Sequence, residues 1–109
     1  CHDDPVVKFV SMCTLLAICD DAREIRFEPG ADTYDVTIVT GWEAFELQPA
    51  PGFIRLQVPQ VVKVIAGLDR SVTTKSQEGC IDIRVHGEIV SAHVLVEPAE
   101  HGERAVFRW

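Results

Sequence analysis

The chain has 109 residues, of which 47% are hydrophobic and 25% are charged, so it can form one domain with a substantial core and is not globally disordered. Its formal net charge of −7 disfavours nucleic acid and anionic membrane surfaces as partners, because both attract a clustered basic surface. We expect no direct membrane insertion, since the longest apolar stretch is too short to span a bilayer.

That apolar stretch is the first predicted element, a helix from Val6 to Cys19 that Asp4-Pro5 opens with an N-cap and a first-turn proline. A narrow polar stripe of Lys8, Ser11 and Thr14 leaves more than one side of this helix apolar. Two interpretations stay open: the helix packs wholly on its own sheet, or part of it contacts a partner domain.

Short alternating runs then predict three strands, over residues 24–28, 34–40 and 42–47. A two-residue turn at Gly41-Trp42 pairs Ile38 with Phe45, whereas a turn one residue earlier would set Ile38 against Glu43. The apolar pattern favours the first register.

A second helix is predicted over residues 56–68, with Pro59 near its start and one apolar side. That side consists of Leu56, Val61, Val64, Ile65 and Leu68. Residues 69–79 are polar and without pattern, which predicts a loop.

The last three predicted strands cover residues 81–85, 90–96 and 104–109. A turn at His86-Gly87 sets Cys80 opposite His93, on the face away from Ile81. The chain is therefore predicted to be a single α+β domain over residues 1–109. Its expected order is α-β-β-β-α-β-β-β, with two helices packed on antiparallel sheet structure.

The four cysteines, Cys1, Cys13, Cys19 and Cys80, form no CxxC pair, so neither a zinc ribbon nor a thioredoxin-like motif is indicated. We expect buried thiols in a reducing cytoplasm.

Five segments, in order and spread over nearly the whole chain, resemble the domain that precedes the motor core of type II secretion and type IV pilus assembly ATPases. Lys63-Val-Ile-Ala-Gly-Leu-Asp69, for example, is similar to the family's Lys-Val-Leu-Ala-Gly-Leu-Asp. The segments are Asp4–Lys8, Ala22–Pro29, Lys63–Asp69, Gln77–Gly79 and His101–Arg104. Their family-motif residues are Glu28, Pro29, Lys63, Gly67, Asp69, Gly79, His101, Gly102 and Glu103.

The chain departs from this family at positions where the resemblance implies arginines that lean toward nucleotide. Those positions hold Asp35, Thr37, Val39, Cys80 and His93. Arginine suits phosphate through its permanent charge and planar fork, so its loss predicts a face that no longer serves nucleotide chemistry. The Gly-Lys dipeptide of a phosphate loop is also absent.

Two functions follow from the resemblance. The first is a non-catalytic interaction or assembly domain, with no cofactor, that binds secretion or pilus machinery or its own downstream domain. The second is a fragment of a divergent working ATPase whose ATP-binding core lies outside these residues. The resemblance also implies a cytoplasmic location, with partners able to hold the domain at the cytoplasmic face of the inner membrane. The candidate interaction face consists of Thr37, Val39, Cys80, His93 and Trp109.

Chemical alternatives are weaker. Cys80 and His93 offer only two metal ligands where structural zinc needs four, and the sequence supplies no third group for a Cys–His nucleophile. The acids Asp20, Asp21, Glu24 and Glu28 lack the spacing of a calcium loop and are expected to form a solvated edge. For Trp42 and Trp109, core packing and a partner surface both remain open.

Overall fold

A computed structural model describes residues 5–41, 43–47, 50–51 and 57–109. It confirms an α+β fold in which two helices pack on one antiparallel sheet. The elements are α1 (Pro5–Cys19), β1 (Glu24–Pro29), β2 (Thr33–Val39), β3 (Ala44–Glu46), β4 (Ala50–Pro51), α2 (Gln57–Ile65), β5 (Gln77–Val85), β6 (Glu88–Ala99) and β7 (Gly102–Arg108). The two-residue β4 adds to the predicted order. Asp4, Trp42 and Leu56 lie outside the described residues.

The sheet order is β3-β2-β1-β7-β6-β5, and β4 also pairs with β2. Two meanders, β1–β2–β3 and β5–β6–β7, therefore share one sheet. The last strand, β7, joins them by pairing with β1 on one side and β6 on the other.

Both predicted hairpin registers are confirmed. Ile38 pairs with Phe45, and the backbone N–H of Thr40 donates to the Glu43 carbonyl at 2.9 Å across the turn. Cys80 pairs with His93. His86 and Gly87 have φ angles of 50° and 81°, the left-handed pair that a type I′ hairpin turn requires.

The helices cover one side of the sheet, which we call the inner face; the opposite side is the outer face. The inner-face core centres on Phe27 and Phe107, whose rings meet edge to face at 5.5 Å. Side chains from both helices complete this core. They include Val10, Cys13, Ala17, Val58 and Val62.

The exposed sides of the two helices differ from expectation. Thr14 is buried and satisfies its hydroxyl by donating to the Val10 carbonyl at 2.8 Å, so it does not extend the polar stripe. Met12 is instead 60% exposed. In α2, Val64 and Ile65 are exposed. The predicted apolar side was wrong at these two positions because the helix faces the core with Val58 and Val62; its members Val61 and Leu68 do pack against the core.

The second helix ends at Ile65, earlier than predicted, because Gly67 adopts a left-handed φ of 71°. The Leu68 N–H then bonds the Lys63 carbonyl and the Gly67 N–H bonds the Val64 carbonyl, a Schellman motif. The predicted loop over 69–79 is also too long, since β5 already begins at Gln77.

Among the described residues, neither helix has the length and apolarity needed to cross a bilayer.

Candidate interaction face

Strand pairing arranges the outer face in rows of side chains that run across the sheet. One row follows the pairings from β2 to β5 and contains Val39, Glu24, Arg108, His93 and Cys80. The neighbouring row contains Thr37, Arg26, Val106, Leu95 and Glu78. These rows put four of the five predicted interaction residues on one face.

The four residues do not form one cluster. Thr37 and Val39 lie on β2, while His93 and Cys80 lie on β6 and β5. Val39 and His93 are three strand intervals apart, roughly 14 Å at the usual spacing of a sheet. Glu24 and Arg108 fill the space between them.

The assignment of Trp109 to this face was wrong. Its side chain is half-buried and packs against the inner-face core. Its backbone N–H donates to the Arg23 carbonyl at 3.2 Å, which extends the alternation of β7 by one residue. Since Arg108 faces outward, the next side chain faces inward.

Glu24 is the centre of an ion-pair cluster on the outer face. Its carboxylate is only 9% exposed and accepts hydrogen bonds from the Nε atoms of Arg26 and Arg108, one to each oxygen. Burial alone would raise the pKa of Glu24, but the hydrogen bonds from Arg108 and Arg26 outweigh it and hold that pKa below its usual range. The expected solvated edge is therefore wrong at Glu24.

Arg104 forms a second cluster on the same face. Its Nε lies 3.0 Å from Glu28 Oε1, and its Nη1 donates to Glu97 Oε1 at 2.8 Å. The hydrogen bond with Glu97 contributes most to raising the pKa of Arg104. This guanidinium ties β1, β7 and β6 together.

The face therefore keeps arginines, although not at the positions that the resemblance implied. The alternation of Glu24, Arg26 and Glu28 in β1, and of Arg104 and Arg108 in β7, indicates that these arginines lie on one face of their own strands, but not which carboxylates of a neighbouring strand they contact. Among the residues that the structure describes on this face, carboxylates outnumber guanidiniums. The carboxylates are Glu24, Glu28, Asp35, Glu46, Glu78, Asp82 and Glu97, and the arginines are Arg26, Arg84, Arg104 and Arg108.

Cys80 and His93 face each other across the pairing of β5 with β6. His93 Nε2 lies 3.3 Å from Glu78 Oε1. Within the described residues, no group of three or more potential metal ligands comes together. Cys80 and Cys19 are exposed free thiols, so the prediction of buried cysteines holds only for Cys13; Cys1 lies outside the described residues. Burial raises the pKa of Cys13 to about 11.

Two of the family motifs meet in a buried ion pair. Lys63 is fully buried, and its Nζ lies 3.0 Å from Glu103 Oε1 and 2.8 Å from Oε2. The same ammonium donates to the Val72 carbonyl at 2.6 Å. The pair thus fastens α2 and its following loop to β7.

The other motif residues shape the same region. Asp69 Oδ1 accepts hydrogen bonds from the N–H and hydroxyl of Ser71, while the Gln77 side chain bonds both backbone groups of Asp69. A Cβ on Gly79 would lie 3.0 Å from the Ala66 carbonyl oxygen, so Gly79 permits close helix–strand packing. Gly102 has a φ of 146° and packs beside Pro29. His101 is exposed and lies 3.9 Å from Glu100.

No family model matches the chain. Two curated proteins do: the type IV pilus assembly ATPase PilB of Pseudomonas aeruginosa, 34% identical over 107 residues, and that of Myxococcus xanthus, 31% identical over 107 residues. The chain is related to a part of the type IV pilus assembly ATPases. Each alignment covers 97% of this chain but only 19% of the relative, so the chain spans about a fifth of the proteins that it matches. The predicted resemblance to type IV pilus assembly ATPases is thereby confirmed.

Proposed function

We propose that this chain is a non-catalytic protein-interaction or assembly domain, which uses the outer face of its sheet to bind another protein. The observation that carries the proposal is the paired state of Arg26, Arg104 and Arg108. A guanidinium already held by carboxylates can bind a phosphate only by giving up those partners, and the excess of carboxylates around it repels an anion.

The partner that such a face suits is a protein with a basic surface. The excess of carboxylates on this face and the net charge of −7 would steer such a partner and speed the encounter. A location in the cytoplasm and a role among type IV pilus or type II secretion components are part of this proposal, supported by the relatives' names and by the sequence motifs.

The motif residues fit a structural use. Lys63, Asp69 and Glu103 are engaged in contacts within the domain, and none of these contacts needs a nucleotide. Their retention supports preservation of a fold rather than of a reaction.

The test is binding to purified pilus-assembly proteins of the source organism. Thr37→Arg would place a cation on the outer face between Glu46 and Arg26, and Thr73→Arg places the same cation in the exposed loop after α2. We expect Thr37→Arg to weaken binding at least about tenfold and Thr73→Arg to leave it unchanged. Equal binding by wild type and both variants would remove the outer face from the proposal.

The second candidate is a fragment of a divergent working ATPase, and the relatives' names together with the 19% coverage favour it. Its test has two parts. A phosphate-loop motif in the parent reading frame after Trp109 would support it. Calorimetry of this chain with ATP and Mg²⁺ should show no binding under the first candidate, and micromolar affinity would contradict our interpretation of the paired arginines.

A further inference from the structure

β5 is the last strand of the sheet, and one of its edges has no neighbour among the described residues. It is nine residues long, contains no proline and pairs continuously with β6 from Gln77 to Val85. Natural sheets usually blunt such an edge with a proline, a bulge or a short strand. β5 has none of these three features; the charges that it does carry, at Glu78, Asp82 and Arg84, are of both signs.

The type I′ hairpin fixes which backbone groups are open at this edge. A two-residue turn is closed by a hydrogen-bonded pair, here Val85 and Glu88, so odd-numbered residues of β5 bond to β6. The even-numbered residues therefore point their N–H and C=O groups outward. These residues are Glu78, Cys80, Asp82 and Arg84.

We propose that β5 pairs with β5 of a second copy of this chain, antiparallel and centred on Ile81, to form a dimer with one continuous sheet. This goes beyond the outer-face contact proposed above, and its failure would leave that contact standing. In this register all nine residues of each β5 are paired, with about eight backbone hydrogen bonds from the four outward residues of each copy.

The charges of β5 complement themselves in this register. Glu78 of each copy stands opposite Arg84 of the other, which gives two pairs of opposite charge on the outer face. A shift to centre on Asp82 would oppose two like carboxylates. A shift to centre on Cys80 would set Glu78 against Asp82, and a centre at Ile83 would leave half of the strand unpaired.

Arg84 is available for this role, since the described residues provide it with no ion-pair partner, and its side chain is exposed. Glu78 is also exposed, and the ion-pair contact that the described residues give it is the one with His93 at 3.3 Å. Both side chains can therefore reach across the edge without breaking a buried contact.

The inner face adds an apolar contribution. Beside β5 runs a groove of about 410 Å³ between α1 and the sheet, with Val10, Leu15, Ile65, Ile81 and Ile83 in its lining. Ile81 would stand opposite Ile81 of the second copy as a close, non-hydrogen-bonded pair. The added strand would thus cover side chains that are half-buried in one copy alone.

The first experiment is sedimentation equilibrium of the full chain, diluted from about 1 mM, the range in which weak association is measurable. Arg84→Glu converts both cross-strand pairs to Glu–Glu, and we expect it to raise the dimer Kd roughly tenfold or more. The double variant Glu78→Arg/Arg84→Glu restores opposite charges and should return the Kd to within about threefold of wild type.

Arg70→Glu is the control, because it makes the same charge change in an exposed loop and should leave the dimer unchanged. A monomer throughout the dilution series would overturn the proposal. So would a double variant that fails to recover dimerisation while its circular dichroism matches the wild type.

A second experiment tests the register. In a background with Cys1, Cys19 and Cys80 replaced by serine, Ile81→Cys would bring two thiols to opposed positions with Cα atoms about 4.5 Å apart, within disulfide reach. Ile83→Cys would stand opposite Gly79 and should not cross-link. With a mild oxidant added to accept the two electrons, rapid covalent dimerisation of the first variant alone is expected, and equal rates for both would refute this register.

Discussion

At the residue scale, Lys63 and Glu103 are two charged side chains that the fold has removed almost completely from water. Lys63→Met would leave Glu103 buried without its cation, which we expect to lower the free energy of unfolding by about 3–5 kcal/mol. Urea denaturation monitored by circular dichroism measures the change.

The double variant Lys63→Met/Glu103→Leu distinguishes loss of pairing from loss of packing. With both charges gone, no buried ion is left unpaired, so stability should recover most of the loss. Additive losses in the double variant would contradict the assignment of the ion pair as the reason that these two motifs fit together.

Glu24 gives a prediction about pH. Its pKa is lower in the folded chain than the ordinary value of 4.5, because Arg108 and Arg26 stabilise its ionised form. The unfolded chain therefore binds its proton first as the pH falls. The stabilisation that ionised Glu24 contributes is fully present above pH 4.5. It is lost as the pH falls through the pKa of Glu24 in the folded chain.

Glu24→Gln should accordingly lower stability at neutral pH and flatten the fall in stability below pH 4.5. Urea midpoints measured across this range test the expectation. Glu100→Gln is the control, since the Glu100 side chain is highly exposed and lies 3.9 Å from His101. If the urea midpoint of Glu24→Gln falls below pH 4.5 as steeply as that of wild type, Glu24 does not contribute to the acid sensitivity of the fold.

At the element scale, both helices end in the same left-handed geometry but with different residues. Asp21 follows α1 with a φ of 57°, where the Ala22 N–H bonds the Ala17 carbonyl, as Leu68 does with Lys63 after α2. Asp tolerates this conformation less well than Gly does. Asp21→Gly is expected to raise the free energy of unfolding by roughly 0.5 kcal/mol.

The complementary change is Gly67→Ala. A Cβ at Gly67 meets nothing within 4 Å, so any cost is conformational rather than steric. We expect a loss of about 1 kcal/mol, measured by the same urea titrations. A stabilising Gly67→Ala or a destabilising Asp21→Gly would show that the backbone φ does not control these helix ends.

Local pattern predicted much of the fold. The registers at Ile38–Phe45 and Cys80–His93 followed from alternation and turn chemistry, because in a hairpin both act over neighbouring residues. The position of β7 between β1 and β6 could not be predicted in this way, since β1 and β7 are far apart in sequence and their pairing leaves no local signal.

The candidate site was predicted only in part for the same reason. The phase of β2, β5 and β6 correctly assigned Thr37, Cys80 and His93 to one face. Trp109 was misassigned because Arg108 faces outward, so the alternation of β7 turns the side chain of Trp109 inward. The arginine clusters around Glu24 and Glu28 depend on β7 lying beside β1. Sequence separations of that size place ion-pair partners beyond the reach of a periodicity argument.

At the scale of the whole molecule, protection from solvent should fall from the centre of the sheet to its edges. β1 and β7 have a neighbour on both sides and carry the fully buried Ile25, Phe27 and Ala105. Their amides should exchange hydrogen most slowly, by opening that approaches global unfolding. Amide exchange followed by NMR measures this gradient, and faster exchange in β7 than in β3 would contradict the central position of β7.

Amide exchange also distinguishes the single chain from the proposed dimer. In a single copy, β5 amides should alternate, with slow exchange at Ile81 and Ile83, which bond to β6, and fast exchange at Asp82 and Arg84, which point outward. Pairing with a second β5 would protect the outward amides as the protein concentration rises and would leave the inward ones little changed. Uniform protection along β5 at low concentration would instead mean that the outer edge of the strand is already covered within one chain.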